Sequence, residues 1–114
     1  MKGKYVIFTL NVLMFWSCTT DSINDLSQPN DIVTYNGQIK LIFEANCISC
    51  HGNFNPQGNL SLTNYIQVKN NINNIIDRIQ RPQGSLGMMP SGLTRLSEPA
   101  ITAVIKWRDG GLIE

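Results

Sequence analysis

A single histidine, three cysteines and no clustered charge of either sign narrow what this 114-residue chain can do. One imidazole, His51, excludes any site that needs two histidines from the same chain. A structural zinc site uses four Cys or His ligands, and outside residues 47–51 the only further thiol is Cys18. Nine Lys/Arg stand against eight Asp/Glu without a basic stripe or tail, so nucleic acid is not expected as a partner. No apolar run reaches the ~20 residues that cross a bilayer core. Period-two alternation is scarce too, which argues against a sheet.

The longest mostly apolar run, Tyr5 to Trp16, follows Lys2 and Lys4 and ends at Ser17-Cys18. A basic start, a short apolar stretch and a small residue make a processing signal rather than a fold element. The segment resembles a bacterial lipoprotein signal: residues 1–17 are removed and Cys18 becomes the acylated first residue. An uncleaved anchor and a secretory signal cut elsewhere are the alternatives, and all three place the chain outside the cytoplasm. Loss of Lys2 and Lys4 leaves seven basic against eight acidic residues, a formal charge of −1. Residues 18–32 are polar and aperiodic and read as a flexible tether. Residues 33–114 then form one small domain, whose size limits its apolar core.

Within that domain, Cys47-Ile48-Ser49-Cys50-His51 carries the chemistry. C-x-x-C-H is the attachment signature of c-type haem. Both thiols add to the porphyrin vinyl groups, and the adjacent imidazole serves as an iron ligand. A thioredoxin-like C-x-x-C would sit between a strand and a helix of a βαβ unit, whereas here a helical pattern precedes the motif. The expected cofactor is therefore one covalent haem c, bound through Cys47, Cys50 and His51.

Hydrophobic spacing sets the expected frame. Val33 and Tyr35 suggest a short extended lead-in, and Asn36 caps a helix over about 37–46 with Ile39, Ile42 and Phe43 on one face. A loop follows over 52–59. Thr63 caps a short helix to about Val68, and another spans 71–80 with Ile72, Ile75, Ile76 and Ile79 inward. Arg81-Pro82 ends it. Residues 82–96 make a second loop. Ser97 caps a last helix over 98–109, with Ile101, Val104 and Ile105 inward, Trp107 on a neighbouring face and Gly110-Gly111 as the stop. The fold class is all-α.

The second loop holds Met88 and Met89, the only thioethers left once Met1 and Met14 leave with the signal. Thioether sulfur is a soft neutral donor suited to haem iron. Met89 is the expected second axial ligand, because Pro90 stiffens the backbone beside it, and Met88 is the alternative. Leu86, Met88 and Leu93, beside the ligand, are expected to contact redox partners.

Taken together, Phe43 four residues before Cys47, Cys47 to Gly52, Met89-Pro90, and Ile105-Lys106-Trp107 followed by Gly110-Gly111 resemble a small class I cytochrome c of the bacterial lipoprotein type. The resemblance spans about residues 33–112. It implies a cytochrome c-like fold of three to four short helices around one covalent haem, the first and last crossing beside it. It also implies Cys47 and Cys50 as thioether sites, His51 as the proximal and Met89 as the distal iron ligand. Two positions depart from the family pattern. Ile39 stands where many members have a glycine. Pro56 follows His51 too closely to be the loop proline whose carbonyl accepts the histidine Nδ1 proton, so that acceptor is unassigned.

The expected function is one-electron transfer through a His/Met-ligated iron, in a carrier rather than an enzyme. A haem-based ligand sensor and an electron-transfer subunit of a larger redox complex are the alternatives. Redox proteins of unknown identity are the expected partners. The expected location is the periplasmic side of a bacterial membrane, through the lipid on Cys18, with the cell surface or secretion as alternatives.

Overall fold

The computed structural model describes residues 32–114; the signal segment, Cys18 and nearly all of the tether lie outside them. Among the described residues the fold is all-helical, with no strand. Its α-helices are α1 (Lys40–Asn46), α2 (Tyr65–Gln80) and α3 (Glu98–Asp109). A wide π-type helix, Tyr35–Ile39, leads into α1, and a 3-10 turn, Gln57–Asn59, interrupts the first loop. No helix among the described residues is long and apolar enough to cross a membrane.

The first helical segment starts earlier than its sequence suggests. Thr34, not Asn36, is the N-cap: its Oγ1 accepts the Gly37 N–H at 3.0 Å. Tyr35 is consequently helical rather than extended. It is buried with Ile39 and Phe43, while Ile42 is half-buried. Ile39, where the resemblance raised the absence of a glycine, has no exposed surface and packs into the core.

The helices expected over 63–68 and 71–80 are one. Asn64 caps it, accepting the Gln67 N–H at 3.0 Å. The gap expected after Val68 is absent: no glycine or proline interrupts the chain there. Val68, Ile72, Ile75, Ile76 and Ile79 form an unbroken buried stripe at helical spacing. Lys69, Asn70 and Asn71 fall off that stripe, and the Asn71 side chain donates back to the Gln67 carbonyl at 2.8 Å.

Helix α3 has the expected bounds and the expected cap, Ser97, whose Oγ accepts the Ala100 N–H. Its inner face differs. Trp107 has no exposed surface and belongs to the core with Ile101 and Val104, whereas Ile105 is only half-buried. The reason is an aromatic cluster that joins three elements. The Tyr35, Tyr65 and Trp107 ring centroids lie 5.5, 5.9 and 6.2 Å apart pairwise. Such tilted and edge contacts add to the burial of large apolar rings.

The C-terminal tail locks this cluster. The Trp107 Nε1–H donates to the Ile113 carbonyl at 2.8 Å, which also accepts the Tyr35 N–H at 2.9 Å. The Tyr65 hydroxyl donates to the Leu112 carbonyl at 2.8 Å. One end of the domain is thus closed by aromatic rings and main-chain bonds. The other end is left to the two loops, which carry the residues that the sequence singled out.

Candidate functional site

Cys47 caps the C-terminus of α1, its N–H donating to the Phe43 carbonyl at 2.8 Å. The next residues form turns in which the Cys47 carbonyl accepts from Cys50 N–H at 3.2 Å and from His51 N–H at 2.9 Å. C-x-x-C-H is therefore wound as one tight unit at the end of a packed helix. Cys47 is half-buried and Cys50 exposed. Burial pushes the Cys47 thiol up to about 11.

The first loop folds back on this unit. Gln57 N–H donates to the Cys50 carbonyl at 2.9 Å, and Leu62 N–H donates to the His51 carbonyl at 2.8 Å. Asn53, Ser61, Thr63 and Gln67 tie the loop to the start of α2; the Thr63 hydroxyl donates to Asn53 Oδ1 at 2.7 Å, and Thr63 N–H to Gln67 Oε1 at 2.8 Å.

These bonds place the Leu60 carbonyl 2.9 Å from His51 Nδ1. A carbonyl only accepts, so Nδ1 carries the proton, and in the neutral ring Nε2 keeps the lone pair. The acceptor left unassigned in the sequence is thus Leu60, nine residues after His51, and not Pro56. Nothing in the identity of Leu60 signals this, because the acceptor is main chain.

Met88 and Met89 separate. Met88 is buried, 5% exposed, and so is not a surface contact as expected from sequence; Leu86 and Leu93 beside it are exposed. Met89 is half-buried, packs against the core, and lines the same cleft as Cys47, Cys50 and His51. That cleft has a volume of about 550 Å³, within the ~300–1,000 Å³ usual for a small-molecule or cofactor site. Its apolar lining includes Leu60 and Leu62 of the first loop, Ile75 and Ile79 of α2, and Leu93 and Leu96, and Asp77 and Arg78 also border it. Met88 does not line it.

The cleft suits an iron porphyrin in the kind of donor it offers. It joins an imidazole with a fixed Nδ1 proton, a thioether from a second loop, two thiols and an apolar lining. Among the described residues, no three or more His, Cys, Asp or Glu side chains gather to hold a metal ion by themselves. No protein-family model, curated protein or solved structure matches the chain. The functional reading rests on the residues and their arrangement.

Proposed function

We propose that the domain is a mono-haem c-type cytochrome with a cytochrome c-like fold, and that it carries single electrons. One observation supports this most: both halves of a haem ligand set, the C-x-x-C-H unit at the end of α1 and Met89 in the second loop, meet at one cleft. The porphyrin would supply its own equatorial nitrogens and the Fe(II)/Fe(III) couple, so the chain needs to provide only attachment, axial donors and surroundings.

In this reading Cys47 and Cys50 hold the group covalently, and His51 offers its Nε2 lone pair. The Leu60 carbonyl would fix the ring orientation by accepting a hydrogen bond from the Nδ1–H. Met89 would offer the iron a soft thioether donor, of a kind that favours the reduced state. Leu60, Leu62, Ile75, Ile79 and Leu96 exclude water, a further influence on the potential. Ligation by both His51 and Met89 would leave the iron to electron transfer rather than to substrate chemistry. Anchorage through Cys18 would hold the domain at the periplasmic side of a bacterial membrane, within reach of redox protein partners.

The test is the reduced protein exposed to carbon monoxide at neutral pH. A carrier with Met89 on the iron leaves the spectrum unchanged. Ready binding of carbon monoxide would instead favour a ligand sensor with an open position.

A further inference from the structure

The loop that carries Met89 is fastened to the last turn of α2. The Arg78 carbonyl accepts the Met89 N–H at 3.2 Å, and the Arg78 guanidinium donates to the Gly87 carbonyl at 3.3 Å. The Arg81 guanidinium donates to the Leu86 carbonyl at 2.7 Å and to the Asp77 carboxylate at 2.8 Å. Residues 86, 87 and 89 are therefore each held by one short stretch of helix.

Gly87 shows how closely the two are fitted. Its φ is +76°, and a Cβ there would collide with the guanidinium nitrogens of both Arg78 and Arg81. The main chain runs directly against the paired arginines, in a conformation that suits glycine.

We propose that Arg78 and Arg81, with Asp77 orienting Arg81, are positioning residues that keep Met89 at the cleft and so set how readily an external ligand displaces it. The inference rests on the reading of Met89 as an iron ligand. The Asp77 ion pair is largely exposed and by itself worth little. What acts on the loop is the set of hydrogen bonds from ionised donors to its carbonyls, stronger than neutral ones.

The ends of the loop are held separately. Arg95 donates through Nε to the Arg81 carbonyl at 3.0 Å, and its N–H reaches Gln83 Oε1 at 2.6 Å. Gln83 in turn donates to the Leu93 carbonyl at 3.1 Å. Removing the Arg78 and Arg81 side chains thus releases the Leu86 and Gly87 carbonyls, while the Met89 N–H keeps its bond to the Arg78 main-chain carbonyl and the ends of the loop stay tied. The freed Leu86 and Gly87 carbonyls lie where water can bond them, so the fold survives. The change falls on the lability of Met89.

The experiment uses the haem-loaded full chain, with imidazole titrated into the ferric form and hydrogen exchange followed at the Met89 amide. Variants are R78Q/R81Q, Gly87→Ala, Met89→Ala as the open reference, and Arg108→Gln as a distant control whose side chain bonds only Asp109. R78Q/R81Q is expected to keep the methionine–iron absorbance band without imidazole, bind imidazole about tenfold more tightly, and exchange the Met89 amide faster. Gly87→Ala loosens the loop through its own strained backbone and serves as the reference for a displaced Met89. If the double variant does not fold, R78Q and R81Q singly, read the same way, decide the matter. Arg108→Gln matches the wild type. Wild-type imidazole affinity in the arginine variants, beside an open Met89→Ala, overturns the positioning role alone. An unchanged iron in Met89→Ala removes the ligand reading and the proposal with it.

Discussion

The Nδ1–H of His51 donates to the main-chain carbonyl of Leu60 across 2.9 Å. Through this bond the first loop reaches the imidazole of the C-x-x-C-H unit. Its strength depends on the 3-10 turn just before Leu60, where Gly58 adopts φ +64°. A β-branched residue in that left-handed conformation costs ~1–2 kcal/mol. Gly58→Val is expected to destabilise the domain by that amount and to speed solvent exchange of the His51 Nδ1 proton. Urea unfolding and NMR check the two effects.

The two methionines should separate by phenotype. Met89→Ala removes the donor and opens the iron to carbon monoxide, with little loss of stability because Met89 is only half-buried. Met88→Ala empties a buried position, which costs ~2–5 kcal/mol, yet keeps the methionine–iron absorbance band. Loss of the band in Met88→Ala alone would exchange their roles.

Trp107 closes the far end of the domain. Trp107→Ala is expected to cost ~3–5 kcal/mol through the cavity it leaves. Trp107→Phe preserves most of the apolar contact but removes one of the two donors to the Ile113 carbonyl, for ~0.5–1.5 kcal/mol. Denaturant midpoints at constant slope measure both.

Alkaline pH should act on Tyr35. Burial, with the Glu44 and Glu114 carboxylates adding to it, raises its phenol above the ordinary 10.0. Below that value the phenol is neutral in both folded and unfolded chains, and its contribution to stability is fully present. Above it the unfolded chain ionises first, so stability falls as pH rises through the higher folded value. Tyr35→Phe is expected to flatten this alkaline decline. An equal decline in the variant would refute the assignment.

Thiol reactivity gives a separate check on the motif's surroundings. In chain made without haem attachment, Cys47, pushed up to about 11, is almost entirely protonated at neutral pH. Its thiolate fraction grows as pH rises toward that value. Alkylation should therefore mark the exposed Cys50 first and Cys47 several-fold more slowly, by about tenfold, with the gap narrowing at high pH. Equal rates at neutral pH would contradict the burial of Cys47.

Much of the frame was legible because it depends on local signals. Ser97 with Glu98-Pro99, and Gly110-Gly111, mark the ends of α3 by capping chemistry alone, and the structure places them there. The unity of α2 was not legible: the expected helices to about Val68 and over 71–80 left the polar Lys69-Asn70 between them, until the stripe from Val68 to Ile79 is seen to run past it. Trp107 was misplaced for a different reason. Its burial comes from Tyr35, Tyr65 and the C-terminal tail, contacts distant in sequence that helical spacing does not report. The site divides in the same way. C-x-x-C-H and the two methionines announce themselves by residue type, but the Leu60 acceptor is main chain and carries no side-chain signature. The arginines that hold the Met89 loop act on carbonyls five to nine residues away, a relation that only the folded loop creates.

The covalent attachment of haem at Cys47 and Cys50 is tested most directly by the intact mass of the full-length gene product, made in cells that attach haem and then denatured in acid. The account predicts a chain beginning at acylated Cys18 that retains the mass of one haem after denaturation, and that loses it in Cys47→Ala/Cys50→Ala. A bare polypeptide with two alkylatable thiols in the motif would contradict it.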